Sequence, residues 1–174
     1  MPGFSPDGRS LTFIRWTAKD SGHVWLRDLQ SGAERQVSKV AAFYTDPAFT
    51  PDGNNIIALR SDNDARMLSY MEFGTTRQAD LVEIAIANGK ETVLASGKMG
   101  GLPHFGPEPT MVYINFEDGV YAIDRSGKNK EKIAGVTGPN WYFLSGRANV
   151  DDLRISPNGR KENTNLIRLR RQFS

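Results

Sequence analysis

Few residues of this chain belong to the types that build catalytic or metal centres. The 174 residues include only two histidines, His23 and His104, and no cysteine. A catalytic zinc usually has three protein ligands, most often imidazole, carboxylate or thiolate groups. Because the two histidines lie 81 residues apart in the sequence and no thiolate exists, we expect no metal site and no cofactor within this chain.

Hydroxyl and carboxylate groups are more frequent, but their spacing favours structural roles. The Gly-x-Ser-x-Gly sequence that presents the nucleophile of many hydrolases is absent, and Ser145 is the nearest candidate, in a predicted loop. A Ser-His-Asp triad remains an alternative, since its members need not be neighbours in sequence. Asp7, Asp52 and Asn158 could be read as calcium ligands. Each lies in a separate repeat, however, so we interpret them as residues that hydrogen-bond their own turn.

A five-residue motif repeats along the chain and positions these side chains. It begins with an apolar residue followed by Ser/Thr-Pro-Asp/Asn-Gly at 4–8, 49–53 and 155–159, with a degraded copy at 105–109. Proline presets φ for a turn, and glycine accepts the positive φ at its end. We therefore expect a tight turn at each copy. The structural turn residues are Pro6, Asp7, Gly8, Pro51, Asp52, Gly53, Pro157, Asn158 and Gly159.

Short apolar runs surround these turns. Runs at 11–16, 55–59 and 111–116 follow the motif, are rich in β-branched and aromatic residues, and are too short for typical helices. Later in each unit a Ser-Gly or Asn-Gly pair separates two further apolar runs, which is a hairpin signal. Each unit therefore predicts four antiparallel strands.

Four antiparallel strands in roughly 45–55 residues are typical of a β-propeller blade. We predict an all-β chain of about three blades, near 4–48, 49–104 and 105–154, followed by the start of a fourth that ends by residue 159. An antiparallel sandwich with coincidental turns is the alternative. Closed propellers typically have four to eight blades, so this incomplete propeller is expected to be a fragment or an arc that another chain completes. Its first and last blades should then each expose a flank.

Composition and charge exclude several function classes. The chain is 39% hydrophobic and 24% charged, which is typical of a folded domain. Its net charge of +2 arises from the basic tail at 160–174, which we interpret as an altered or truncated ending, and the remainder does not predict nucleic-acid binding. No apolar run is long enough to span a membrane. No signal peptide is recognised at the start, which leaves the compartment open, a periplasmic or secreted parent included.

Two loops could carry contacts with other molecules. The apolar stretch at 138–144 contains Trp141, Tyr142 and Phe143, and we predict that it caps the propeller face or docks a neighbouring domain. The insertion at 61–80 is interpreted as a lid on its own blade, with a ligand-binding loop as the alternative.

The repeats resemble TolB-type propeller repeats, relatives of WD-repeat blades, across residues 2–159. Residues 103–105, 117–127, 136–138 and 150–159 are also similar to the propeller portion that is joined to an amidohydrolase barrel in imidazolonepropionase-like metal-dependent hydrolases. That second resemblance implies a parent enzyme that hydrolyses C–N or related bonds at a metal centre, with zinc as its metal. The His-x-His pair of such barrels does not occur in this chain.

The sequence thus leaves three functional hypotheses. The first is an accessory propeller segment of an amidohydrolase-like enzyme, non-catalytic by itself, that serves domain docking, substrate access or oligomer contacts. The second is a stand-alone TolB-like propeller that binds a protein partner. The third is the gating propeller of a prolyl-oligopeptidase-like serine peptidase. In each case the expected partner is the rest of the parent chain or another protein.

Overall fold

The computed structural model describes residues 2–62 and 77–135, and within these ranges the regular structure is entirely β. The strands, in chain order, are β1 (Gly3–Phe4), β2 (Ser10–Thr17), β3 (Ser21–Asp28), β4 (Glu34–Gln36), β5 (Phe43–Phe49), β6 (Asn55–Ser61), β7 (Arg77–Ala85), β8 (Glu91–Phe105), β9 (Met111–Phe116), β10 (Gly119–Asp124) and β11 (Lys130–Gly135).

The strands form two sheets in which every neighbouring pair is antiparallel. The first sheet has the order β1-β2-β3-β4, and the second runs from β5 to β11 in sequence order. We call β1 to β4 the first blade. The second blade comprises β5, β6, β7 and residues 91–99 of β8, and the third comprises residues 99–105 of β8 with β9, β10 and β11. The predicted all-β, antiparallel architecture is confirmed.

Strand β8 differs from the prediction, because it belongs to two blades at once. It pairs with β7 from Glu91 to Met99 and with β9 from Met99 to Phe105, without a break between the two. Glycines allow this continuity: Gly101 has a φ of +79°, which an L side chain rarely adopts. The register between β8 and β9 shifts over the same stretch, so the bend is absorbed in a bulge.

The proline turns share one hydrogen-bond network. Asp7 Oδ1 accepts a hydrogen bond from the Ser5 hydroxyl at 2.6 Å and from the Arg9 N–H at 3.0 Å. In the second copy, Asp52 Oδ1 accepts from the Thr50 hydroxyl at 2.6 Å and from the N–H of residue 54 at 2.9 Å. Both turns end on a glycine with φ near +70°. Side-chain and backbone groups of the motif therefore close the turn locally.

The core lies between the blades. Alternate residues of β6 point to opposite faces, so Ile56 and Ala58 pack against the first blade while Ile57 and Leu59 pack against the third. All four side chains are buried. The middle blade is covered on both faces, which explains why its strands read as continuous apolar runs rather than alternating ones.

Several predicted features lie outside the described residues. They are the truncated fourth blade, the 160–174 tail, the centre of the 61–80 insertion, Ser145, the turn residues Pro157, Asn158 and Gly159, and the candidate interface residues Trp141, Tyr142 and Phe143. Among the residues that the structure describes, no helix is long and apolar enough to cross a membrane.

Candidate functional site

The two histidines serve local packing. His23 lies inside β3, opposite Arg15, and is half-buried. Its Nδ1 lies 3.1 Å from both the Ser38 hydroxyl and the Gln36 side-chain nitrogen. The β2–β3 hairpin stays paired up to its tip.

His104 lies near the end of β8, next to Phe105. Its Nδ1 is 3.1 Å from the Leu102 carbonyl oxygen, and its ring stacks on Tyr113 with centroids 5.8 Å apart. Across residues 2–62 and 77–135, no group of three histidine and carboxylate side chains could hold a metal ion.

Equivalent positions in the three blades can be matched through hydrogen bonds. The N–H groups of Leu29, Ile86 and Arg125 donate to the carbonyl oxygens of residues 9, 54 and 110, each at the proline turn of its own blade. Counting residues from these hydrogen bonds aligns the strands of the three blades.

The side of each blade on which the aligned apolar residues lie is called its leading face. Each set of aligned residues gives one residue from the first, second and third blade in turn: Phe4, Phe49 and Phe105; Leu11, Ile56 and Val112; Phe13, Ala58 and Ile114; Trp25, Val82 and Tyr121.

The leading face of each later blade packs on the blade before it. Ile56 and Val82 of the second blade lie in one apolar cluster with Val24 and Leu26 of the first. Residues of the third blade, such as Ile114, join a second cluster with Leu59 of the second blade. The opposite side of each blade is called its trailing face. At each junction between two blades, the trailing face of the earlier blade packs on the leading face of the later one.

A charged position recurs on every leading face. In the second blade, Arg60 Nη1 lies 2.7 Å from Glu91 Oε2. The aligned pair in the first blade, Arg15 and Glu34, is also an ion pair. In the third blade Lys130 occupies the position of the glutamate, and its Nζ lies 3.4 Å from the centroid of the Phe116 ring.

The Arg60–Glu91 pair belongs to a larger, partly buried network in the second blade. The Tyr44 hydroxyl donates to Glu91 Oε1 at 2.7 Å, and Arg60 Nη2 pairs with Asp80 at 2.9 Å. Burial, reinforced by the neighbouring Glu91, raises the pKa of Tyr44 above its usual range. For Asp80, burial opposes ionisation, but hydrogen bonds from Ser96 and Arg60 outweigh it and lower its pKa. The network keeps Asp80 ionised and holds its hydrogen-bonded partners in place.

Arg125 joins the second and third blades. Its guanidinium binds Glu83 through two nitrogens, at 2.7 and 3.0 Å, and lies 3.5 Å from Asp52. The pKa of Asp52 is lowered, chiefly by the hydrogen bond from Thr50, with Arg125 adding to the effect. Asp52 thus closes its own turn and also contacts the next blade.

A groove separates the turn ends of the first and second blades, where no arginine fills the position of Arg125. Its volume is about 560 Å³. Leu26, Phe49 and Ile86 line it, together with carboxylates that include Asp7 and Asp28. The aligned residue here is the apolar Ile86, whose carbonyl oxygen accepts a hydrogen bond from Arg35 Nη1 at 3.1 Å.

The first blade differs from the others in that its leading face is open. Phe4 is 68% exposed whereas the aligned Phe49 is 9% exposed, and Leu29 is 44% exposed. The Arg15 guanidinium lies over the Trp25 ring, 4.2 Å from its centroid. This surface departs from the burial pattern of the aligned residues in the second blade, as expected for the flank that the sequence predicts at the start of the arc.

Sequence reasoning missed the charged residues that pair within the second blade and that join it to the third blade. Arg60, Glu91, Glu83 and Arg125 were not singled out, although each forms an ion pair at 2.7 Å. A signal was present, because Arg15 and Arg60 lie at the same offset from their proline motifs. The third blade substitutes Phe116 at this position, which hides the pattern.

Comparison with known proteins places this geometry among propellers. No family model matches the chain. A curated Bacillus subtilis (strain 168) protein, named as the uncharacterized peptidase YuxL, is 27% identical over 62% of this chain and 20% of its own length. The chain therefore spans about a fifth of the curated relative that it matches.

Solved structures give the same fold. A TolB-type protein from Agrobacterium tumefaciens matches 90% of this chain and 54% of its own, with a TM-score of 0.62 and 20% identity. The β-propeller domain of the Trilobed protease from Pyrococcus furiosus matches 78% of this chain and 43% of its own, with a TM-score of 0.53 and 12% identity. The predicted propeller class is confirmed, while the amidohydrolase resemblance remains a prediction. The chain is built as a β-propeller of the kind found in TolB-like proteins and in peptidase propeller domains.

Proposed function

We propose that this chain is a non-catalytic propeller segment of a larger hydrolase of the peptidase type, in which it docks other domains and restricts access to the catalytic centre. The observation that supports this proposal is that the charged side chains named below bind other side chains and turns of the propeller. Arg60 with Glu91 and Arg125 with Glu83 form ion pairs within and between blades, and the carboxylates of Asp7 and Asp52 close turns. These described side chains are engaged in holding the blades, not presented to a substrate.

The peptidase assignment is supported by two similarities. The Bacillus subtilis relative is named as a peptidase, and this chain aligns with only 20% of its length. The Pyrococcus furiosus structure is the propeller domain of a protease. A nucleophile and its base would then lie on a different part of the polypeptide from the blades, as in the gating-propeller hypothesis.

The amidohydrolase parent remains the second candidate. Its support comes from the sequence of 103–127 and 150–159, which is similar to propellers joined to amidohydrolase barrels. A stand-alone interaction propeller is the third, and the exposed Phe4 and Leu29 favour it, because exposed apolar patches often mark protein contacts.

The reading frame on both sides of this segment in its gene separates these candidates. A Gly-x-Ser-x-Gly sequence with downstream Asp and His residues supports the peptidase proposal. A His-x-His barrel would replace it with the amidohydrolase parent, and stop codons that isolate the segment would favour the interaction propeller.

A chemical test complements the gene sequence. The full polypeptide should react with a fluorophosphonate probe of serine nucleophiles, whereas the 174-residue chain should not. Stoichiometric labelling of the 174-residue chain would contradict a non-catalytic role. Failure of the full polypeptide to react would contradict the peptidase type.

A further inference from the structure

We propose that the groove between the turn ends of the first and second blades is a docking site for an arginine side chain of a partner protein. The guanidinium is expected at the carboxylates of Asp7 and Asp28, with its aliphatic part on the apolar wall that includes Leu26 and Phe49. The proposal adds a defined protein contact to the propeller, and it does not depend on the type of hydrolase proposed above.

The next junction, between the second and third blades, already holds a guanidinium at the equivalent place. Arg125 Cζ lies 6.0 Å from the centroid of the Phe105 ring, and its nitrogens bind Glu83 and lie 3.5 Å from Asp52 Oδ2. Asp52 keeps its other oxygen, Oδ1, for its own turn. A carboxylate of the proline turn thus closes the turn with one oxygen and receives an arginine with the other.

The groove repeats this arrangement without an arginine at that position. Phe49 aligns with the phenylalanine of the occupied junction, and Asp7 aligns with its turn carboxylate. Asp7 Oδ1 closes its turn in the same way. Ile86 lies where the third blade has its arginine, and all three residues line the groove. The groove therefore has the ring and the turn carboxylate of a guanidinium site.

Asp28 supplies a second carboxylate. Leu26 aligns with the glutamate of the occupied junction, so that carboxylate is absent from the groove. Asp28 lies two residues further along β3, on the same face of the strand, and lines the groove. Hydrogen bonds from Ser31 lower the pKa of Asp28, and one from Ser5 lowers the pKa of Asp7. Both carboxylates are therefore ionised at neutral pH.

The charge of the groove favours one added cation. Glu34 and Asp52 also line it, and each pairs with an arginine of the blades. Within the described residues, Asp7 and Asp28 form no ion pair, and Arg35 is the one cationic side chain of the lining. Its Nη1 donates to the Ile86 carbonyl oxygen. Two carboxylates against one arginine leave one negative charge, which a single guanidinium neutralises.

These features favour arginine from a protein over other cations. A planar guanidinium binds carboxylates through several N–H groups and stacks on aromatic rings, whereas an ammonium group acts as a point charge. The aliphatic part of arginine packs on apolar surface such as that of Leu26, Phe49 and Ile86. The groove volume of about 560 Å³ is that of a site for a whole small ligand, so residues that flank the arginine in a peptide segment also fit.

The experiment titrates the 174-residue chain with the capped tripeptide acetyl-Gly-Arg-Gly-amide and follows its backbone amide NMR signals. This peptide should bind at least about fivefold more tightly than its citrulline analogue, which lacks the charge, and more tightly than its lysine analogue. Asp7→Asn and Asp28→Asn should each weaken binding about threefold or more. Asp124→Asn is the matched control and should not, because Asp124 accepts the turn hydrogen bond from Ser126 that Asp28 accepts from Ser31, but lies outside the groove lining.

A second set of variants tests the comparison of the two junctions. Ile86→Arg places an arginine at the position of Arg125, so it should fill the groove and abolish binding of the peptide. Ile86→Met is the uncharged control and should retain binding. Adding Asp7→Asn should lower the Tm of Ile86→Arg by at least about 2 °C more than it lowers the Tm of Ile86→Met, because it removes the new ion pair.

Five results would overturn the proposal. They are the absence of any shift of the groove amides, equal binding of the arginine and citrulline peptides, and unchanged affinity in both aspartate variants. The fourth is free arginine that binds as tightly as the capped peptide, which would assign the groove to a small guanidinium compound. The fifth is a dimer that Asp7→Asn dissociates, which would assign it to a second copy. Peptide binding by a chain whose gene encodes no catalytic motif would contradict the proposed function alone.

Discussion

At the scale of residues, the proline turns use one carboxylate oxygen for two purposes. Asp52 Oδ1 accepts hydrogen bonds from the Thr50 hydroxyl and from the N–H of residue 54. The side chain therefore satisfies donors that would otherwise bind water. The following glycine completes the turn with a φ of +72°. Replacement of either residue should therefore act locally.

Gly53 offers a direct test of the turn. A Cβ at this position would meet only Pro6 Cδ, at 3.7 Å, so the cost of Gly53→Ala is conformational rather than steric. We expect a loss of about 1 kcal/mol in the free energy of unfolding, measured by urea denaturation. Gly53→Asn is the control and should cost less, because asparagine tolerates this conformation. Equal losses for both would contradict the conformational explanation.

The recurring ion pair allows a comparison of burial within one molecule. The Glu91 side chain is 7% exposed and the aligned Glu34 is 29% exposed. Glu91→Gln leaves Arg60 partly unpaired inside the protein, so we expect it to cost about 2 kcal/mol. Glu34→Gln should cost less than about 1 kcal/mol, as for pairs near solvent. Chemical denaturation of both variants measures the difference, and a larger loss for Glu34→Gln would refute the burial argument.

The Asp80 carboxylate predicts a dependence of stability on pH. Its pKa in the folded chain is lowered from the ordinary 3.8. The stabilisation is therefore complete above the unfolded pKa and is lost as the pH falls through the folded pKa. Below about pH 4 the unmodified chain should lose stability more steeply than Asp80→Asn, as measured by thermal melting at a series of pH values. Parallel curves for the two proteins would show that Asp80 is not involved.

At the scale of elements, the β7–β8 hairpin packs closely on the linker after β4, which makes Gly89 more demanding than Gly53. A Cβ on Gly89 would lie 2.5 Å from the Val37 carbonyl oxygen, and its φ is +69°. Gly89→Ala should therefore cost clearly more than Gly53→Ala, by at least about 1 kcal/mol, since the backbone of the linker must move. Urea denaturation of the two variants in parallel is the measurement. Similar losses would mean that the linker after β4 yields easily.

The same scale shows what the sequence can and cannot predict. Strands such as β6 and β9 were predicted because β-branched runs and proline turns are local signals. The continuity of β8 was not predicted, since it depends on a bend at Gly101 that pairing with two neighbours selects. The Arg125–Glu83 pair joins residues 42 positions apart, and only the stacking of blades brings them together.

At the scale of the whole molecule, the blades stabilise one another in series. The second blade is buried on both faces, whereas the first retains an open leading face with Phe4 and Leu29 exposed. Each junction between blades buries apolar surface from both blades. An end blade without a neighbour therefore lacks a stabilising free energy of about 25 cal/mol for every Å² of apolar surface that stays exposed. A longer propeller that contained this arc is therefore expected to be more stable than the arc alone.

The most direct test of this account is light scattering with thermal denaturation on the 174-residue chain and on a longer piece of its polypeptide. If the chain is an incomplete propeller, it should aggregate or associate through its open face and melt at a lower temperature. The longer piece should be monodisperse and more stable. A stable monomer of 19.3 kDa with a sharp unfolding transition, unchanged by extension, would contradict the central claim that the described blades are part of a larger ring.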